Sequence, residues 1–292
     1  MRITDQIVYA GQTRSLQSSL AALATAQQRA MTGSKLNRPA DDPSGAVASL
    51  QLRAQQTQNT QFARNVTDGQ AWTTAADTAL QQTSTLVRNA RDLVIQAGNG
   101  SLNQDARNSL ADQLAGLRDS LLTQANTQIG GRNVFAGTSD SGAAYDTATY
   151  AFSGTPGSAV TRRVGDGQTV RVDVDGTSVY GAGATSLFAQ LDGMISDLRA
   201  GNPISYGIAE LDTAQQAIGS AQAAVGSAQN ALQTASTAQA TAATALTARR
   251  TDVEDVDTAQ AIIDLTNRNN VYQAALLAVS NSMQSNLTDF LR

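Results

Sequence analysis

The chain has 292 residues, a net charge of −4, 4% aromatic and 15% charged side chains, and neither cysteine nor histidine. That composition excludes disulfides, thiol catalysis, Cys/His metal sites and every Ser–His–Asp arrangement, and it supplies no net attraction to nucleic acid or an anionic membrane. With few bulky side chains and a charged share well under the usual ~25%, alanine-rich helices packed over thin seams suit it better than one large core.

The opening, MRITDQIVYAGQTRSL, lacks the apolar core of a secretory signal peptide, and no apolar run approaches the ~18 residues of a membrane span. The expectation is a soluble chain that would leave the cell, if at all, by another export route. Proline, which a helix interior tolerates least, is absent between Pro43 and Pro156 and after Pro203, so the longest helices are expected there. A first helix is predicted from about Thr4 to Thr32. Tyr9, Leu16, Leu23 and Ala30 recur every seven residues, with Thr13, Leu20 and Gln27 at the intervening seam position. A second starts at Pro43 and runs to about Ala97, with Leu50, Trp72, Leu80, Leu86 and Leu93 as a broken apolar stripe. At 1.5 Å per residue it would span on the order of 80 Å and cannot bury itself. Gly98 and Gly100 suit a C-terminal cap, and Ser101 with Gln104 fits a capping box. A third helix then reaches about Thr127, with Leu110, Leu114, Leu117 and Leu121 on one face.

From Gly130 to about Gly183 the period changes to two: Val160, Arg162 and Val164, then Val170, Val172 and Val174. Asp166–Gly167 and Asp175–Gly176 read as hairpin turns, giving a small β-rich module inserted between helices. Ser186 to Ala200 is helical again, closed by Gly201–Asn202–Pro203. The remainder from about Tyr206 is helical, with a stretch at 213–248 so rich in Ala, Gln, Ser and Thr that it approaches low complexity. The last forty residues carry the clearest heptad. Ile262, Leu265, Asn269, Tyr272, Leu276, Val279, Met283, Leu287 and Phe290 form its seam, with Asn269 as a register-setting polar position. Glutamate occurs only at 210 and 254 and lysine only at 35, so these heptads lack the charged flanks of an isolated coiled coil. That points to helices enclosed by neighbours, in a ring or polymer. The pairs Arg162–Arg163 and Arg249–Arg250 read as solvated surface.

One loop breaks the monotony, TGSKLNRPADDPSG at residues 32–45. Gly33 suits a left-handed helix cap, Pro39 forces extended backbone at Arg38, Asp42 is placed as an N-cap, and Pro43 takes the first helical position. Asp41 and Asp42 both face the positive end of the new helix dipole. Lys35, Asn37 and Arg38 have no local job.

These stretches, together with MRIT, NGSLNQDARNSLADQLAGLRDSLLTQANTQIGGRNVFAGT, SLFAQLDGMISDLRAG and DVDTAQAIIDLTNRNNVYQAALLAVSNSM, resemble the flagellar hook-associated protein 3 family of hook–filament junction proteins, relatives of flagellin. The likeness runs in order along nearly the whole chain and is weakest in the β insertion and at 205–248. MRIT, the proline after the Asp pair and GRNVFAG are closer to the junction family than to flagellin, whose loop resembles SAKDDAAG. The resemblance implies a mainly α, elongated, flagellin-like bundle with paired N- and C-terminal coiled-coil helices. Residues 1–42 with 252–292 would be the inner domain, 43–135 with 186–251 the central helical domain, and 136–185 the β-rich outer domain. It implies a homo-oligomeric ring or tube layer between the first hook-associated protein and flagellin, outside the cell, reached through the flagellar type III system with an export chaperone. Lys35, Asn37, Arg38, Pro39, Asp41, Asp42 and Pro43 would meet neighbouring subunits. So would the seam residues Leu16, Leu20, Leu23 and Ile262 to Phe290 named above.

Other readings are weaker. Asp252, Glu254, Asp255 and Asp257 lack the glycine-turned loop of a calcium site and read as a solvated break between helices, so neither metal nor cofactor is expected. The GDG at 165–167 lacks the context of a phosphate loop. No catalytic arrangement emerges. A signalling coiled coil would share the composition but not the β insertion or the terminal heptads, and flagellin itself is the nearest rival.

Overall fold

The computed structural model describes the backbone of residues 2–98 and 102–290, and side chains at residues 7 and 10–281 within those spans. Five long helices carry most of it: α1 (Arg2–Thr32), α2 (Pro43–Ala97), α3 (Gln104–Ala125), α6 (Gly207–Glu254) and α7 (Thr258–Phe290). Between α3 and α6 lie four short strands, β1 (Gln128–Ile129), β2 (Arg132–Asn133), β3 (Thr161–Gly165) and β4 (Gln168–Arg171), a one-turn helix α4 (Gly176–Tyr180) and α5 (Leu187–Ala200). The chain divides into two compact units, residues 1–58 with 243–292 and residues 59–242, with α2 and α6 contributing to both.

In the unit formed by residues 59–242, the helices bury one apolar stripe each. Trp72, Leu80, Val87 and Val94 come from α2, and Leu110, Leu114 and Leu121 from α3. Leu191, Met194 and Leu198 come from α5, and Leu211, Ile218, Val225 and Leu232 from α6. Aromatic side chains are few in this chain, and they are concentrated here. Phe135, Tyr145, Tyr180 and Phe188 are fully buried, with centroid separations of 5.2–5.8 Å among them. The segment 136–185 therefore shares a core with the surrounding helices. Its regular strand is limited to the β3–β4 hairpin, antiparallel with Arg162 opposite Val170, turned at Asp166–Gly167 as expected.

Asp175–Gly176 is not a hairpin turn. Asp175 is the N-cap of α4, its carboxylate accepting from the Thr177 backbone N–H at 2.9 Å, while the Gly176 N–H donates to the Phe135 carbonyl. The same dipeptide serves either purpose, and the following Thr decides for the helix by adding a hydroxyl bond to Asp175. The capping box expected before α3 is also replaced: Asn103 is the N-cap, accepting from Ala106 N–H, and Ser101 lies outside the described residues. Gln104 instead reaches the Leu198 and Arg199 carbonyls at the end of α5. Ser186 caps α5 at one end and Gly201, at φ 81°, ends it in the left-handed region. Arg162 is not merely solvated, since it pairs with Asp68 at 2.5 Å and lies over the Trp72 ring.

The helices carry many hydroxyls, and most of these turn inward on their own helix. Thr25, Thr57, Thr67, Thr78, Thr85, Thr123, Thr213, Ser220, Thr234, Thr241 and Thr247 each donate to the carbonyl four residues earlier.

Candidate assembly surface

In the unit formed by residues 1–58 and 243–292, α1 and α7 lie side by side at close backbone approach. On α1 the seam runs through Gln12, Leu16, Ser19, Leu23, Ala26 and Ala30, spaced 4-3-4-3-4, with Ala22 and Arg29 half-buried beside it. On α7 it runs through Ala261, Leu265, Tyr272, Ala275 and Val279, with Asp264 half-buried beside it and the exposed Arg268, paired with Asp264, at the remaining heptad position. The period is the expected one and half the seam is as read: Leu16, Leu23, Leu265, Tyr272 and Val279 occupy it. The other half sits one residue earlier on both helices. Ser19 and Ala26 replace Leu20 and Gln27, and Ala261 and Ala275 replace Ile262 and Leu276. Small side chains win these positions because they allow the close approach. The bulky neighbours are displaced to the flank, leaving Leu20 50% and Ile262 60% exposed. Asn269 is exposed too and sets no register within this chain. Ile263, Val271 and Leu277, the last 65% exposed, extend the apolar surface further around α7. The apolar surface of α7 thus reaches beyond the seam it shares with α1. The side chains of Tyr9, Met283, Leu287 and Phe290 lie outside the described residues.

The loop after α1 is built as its sequence requires. Gly33 has φ 68°, and its N–H donates to the Arg29 carbonyl. Pro39 occupies the second position of a turn closed by Asp41 N–H on the Arg38 carbonyl, and the Asp41 carboxylate accepts from the Arg38 N–H at 2.9 Å. Asp42 caps α2, accepting from the Gly45 N–H at 3.0 Å and the Ser44 hydroxyl at 2.6 Å; these bonds hold its carboxyl below the usual range. Pro43 opens the helix.

Lys35 and Asn37 have partners within the chain. Lys35 Nζ donates to the Asp252 carbonyl at 3.0 Å and its backbone N–H to the Glu254 carbonyl at 2.7 Å. Asn37 accepts from the Thr32 hydroxyl and donates to the Ser34 carbonyl. Ser34 bridges Asp255 in antiparallel fashion, with Val256 N–H donating to the Gly33 carbonyl. The 33–37 strand of the loop is thus tied to the break between α6 and α7. Arg38, Pro39, Asp41, Asp42 and Pro43 remain exposed.

Sequence reasoning missed Glu254, taken for part of a solvated break. Its carboxylate is largely buried, accepting from Ser49 Oγ at 2.5 Å and Arg53 Nε at 2.9 Å, with Arg250 Nε at 3.7 Å. The Arg53 and Ser49 bonds hold its pKa down. Its signal was rarity: one of two glutamates, beside a helix end. Asp257, by contrast, is exposed and caps α7 through Ala259 N–H. Against this corner lies a groove of about 430 Å³ lined by Leu36, Pro39, Pro43, Val47 and Leu50, with Arg38 and Arg53. Leu50, the first residue of the broken apolar stripe read along α2, is 67% exposed, unlike Trp72 and Leu80, and Val47 is exposed beside it.

Paired terminal helices with apolar flanks, with a helical and β segment inserted between them in sequence, define a flagellin-type chain. Residues 3–140 match the bacterial flagellin N-terminal helical region and residues 208–291 the C-terminal helical region. Flagellar hook-associated protein 3 of Salmonella typhimurium is 31% identical over 73% of this chain and 67% of its own length. That of Escherichia coli is 31% identical over 75% and 72%. The crystal structure of Bacillus cereus FlgL shares the fold at a TM-score of 0.60 and 19% identity, covering 69% of this chain and 99% of that one. The chain belongs to the flagellar hook-associated protein 3 family, whose members are structural proteins of the bacterial flagellum.

Proposed function

We propose that this chain is the adapter at the hook–filament junction, a ring or tube layer of identical copies between the first hook-associated protein and flagellin. The observation that carries the reading is the terminal helix pair, whose seam takes small residues at alternate positions (Ser19, Ala26, Ala261 and Ala275) while Leu20, Ile262, Leu276 and Leu277 stand exposed beside it. Covering those flanks with further copies buries apolar surface that one chain cannot cover alone. In this reading 1–42 with 252–292 forms the inner layer, 43–135 with 186–251 the central one and 136–185 the outer one. Lys35 and Asn37 set the shape of the loop that presents Arg38, Pro39, Asp41, Asp42 and Pro43, beside the Val47–Leu50 groove, to a neighbouring copy. Met283, Leu287 and Phe290 continue the contact toward the C-terminus. Export is by the flagellar type III route with a chaperone.

Labelling isolated flagella with an antibody to the 136–185 segment tests the placement. A short band where hook meets filament is expected. Label along the whole filament would make the chain a flagellin, the second reading that the matches to flagellin helical regions support.

A further inference from the structure

A groove of about 570 Å³ lies within the unit of residues 59–242, in the size range of ligand-binding clefts. Residues 169–175, from β4 to the N-cap of α4, form one wall. The other is a face of α6 built from Ala217, Ala221, Ala224 and Ala228. Successive side chains of a strand point to opposite faces, so an unbroken run of residues lines one groove when the strand is met along its edge.

The hydrogen bonds show that this edge is free. Val172 N–H donates to the Val160 carbonyl at 2.9 Å and Val170 stands opposite Arg162, so the even-numbered residues face β3. In an antiparallel ladder, alternate residues turn their N–H and C=O groups to opposite sides. Thr169, Arg171 and, beyond the strand, Asp173 therefore turn theirs away from β3, toward the groove. Among the described residues no hydrogen bond reaches these backbone groups. Asp173 is only 7% exposed, and buried backbone groups are nearly always paired. Unmatched donors and acceptors at alternate residues are a template for one more strand.

The groove also defines its occupant. Helix α6 walls the edge off from a second sheet, so the incoming segment must be single, extended and unpaired on both sides. From residue 169 to 173 the edge runs about 15 Å, the length of about five residues. The alanine wall leaves room for side chains as large as Val or Ile. Charges at the edge are already matched: Arg171 pairs with the fully buried Asp173 carboxylate, and Asp175 accepts from the Gly157 and Thr177 N–H groups. A charged side chain entering here would lose water with nothing to meet it. The irregular segments of this chain are bonded elsewhere, Thr138 N–H to Ser158 Oγ, Ser153 N–H to the Ala144 carbonyl and Thr155 N–H to the Ala136 carbonyl. The occupant is therefore a segment of another protein.

We infer that the β4–α6 groove is a strand-addition site, which binds an extended, uncharged segment of a different protein through the backbone of Thr169, Arg171 and Asp173. Main-chain bonds supply the affinity, and the alanine wall supplies the preference for β-branched side chains.

Phage displaying random heptapeptides, selected on the immobilised full chain, provide the probe. Uncharged sequences rich in β-branched residues are expected to be enriched on wild type and not on Ala224→Trp, which fills the groove from an exposed position on α6. The leading synthetic peptide should shift the amide resonances of Thr169, Arg171 and Asp173 more than those of Val170 and Val172. N-methylation at one alternate set of its residues should weaken binding about tenfold or more, and at the other set leave it unchanged. Thr169→Pro, which removes an edge N–H and keeps the bonds to β3, should weaken it as well. Circular dichroism at wild-type helicity qualifies each variant, and if Ala224→Trp fails, Thr169→Pro takes its place as the control. Enrichment no greater on wild type than on the control overturns the site, and so does equal sensitivity to the two sets of N-methyl groups. Sedimentation of wild type as a dimer that the control returns to monomer would put a second copy in the groove and overturn the separate partner.

Discussion

Asp42, Asp175, Asp197 and Glu254 each sit where an element begins or ends, and each carboxyl is held below its ordinary value. For Asp175 burial pushes upward, but bonds from Thr177 and the Gly157 N–H outweigh it; for Asp197 the Tyr206 hydroxyl and Asn202 lower it. A carboxyl whose pKa is lower in the folded state adds stability at pH above its unfolded value, and that stability is lost as the pH falls through the folded value. For these groups the loss therefore falls below the ordinary aspartate and glutamate values of 3.8 and 4.5. With no histidine in the chain, little else titrates between about pH 5 and 8. The thermal midpoint is expected to be flat from neutral pH to about 5 and to drop steeply below about 4; a slope centred near pH 6.5 would contradict this. Caps without charge make the same point. Ser186 is fully buried and accepts from the Ala189 N–H, so Ser186→Ala should cost the unit of residues 59–242 about 1 kcal/mol in urea unfolding.

At the scale of elements, helix bounds were legible because proline and glycine write them. Pro43, Ala97 and Thr32 end or begin helices where the sequence placed them. The seam was legible in its period but not in its register. Choosing the bulkiest apolar residue at each heptad position favours Leu20, Ile262 and Leu276, whereas the pair closes on Ser19, Ala26, Ala261 and Ala275. No local signal separates these, because the closeness of the partner decides, and that is a property of two helices at once. The Glu254 corner was illegible for a similar reason: Ser49 and Arg53 lie some two hundred residues away in sequence. The register difference gives two substitutions opposite outcomes. Leu23→Ala, in the seam, should destabilise the unit of residues 1–58 and 243–292 by on the order of 2 kcal/mol, measured on the monomer. Leu276→Asp, on the flank, should leave monomer unfolding within about 0.5 kcal/mol of wild type yet abolish incorporation into flagella. Normal incorporation of Leu276→Asp would remove the flank from the assembly surface.

For the whole molecule the contrast lies between the two units. The unit of residues 59–242 has a contiguous core with its aromatic cluster, while the terminal pair buries little beyond Leu23, Ala26 and Ala261 among the described residues. Local opening follows the density of buried apolar contacts. In dilute monomer, trypsin should therefore cut at Arg14 and Arg268 well before Arg88 or Arg118, and assembled flagella should protect all four. Equal cutting rates in the monomer would show the terminal pair to be as stable as the rest. The hydroxyls along the helices bear on how such ends come together. A free hydroxyl holds water that must be stripped when a neighbour lands on it. Many Thr and Ser side chains here have already turned to carbonyls of their own helix, as Thr25 does in α1 and Thr247 in α6. Their methyl and methylene faces are what a neighbour meets. A surface that reads as polar by composition can thus be dehydrated at little cost. In the assembly proposed above, a neighbour laid against such helices would displace less tightly held water than their composition suggests.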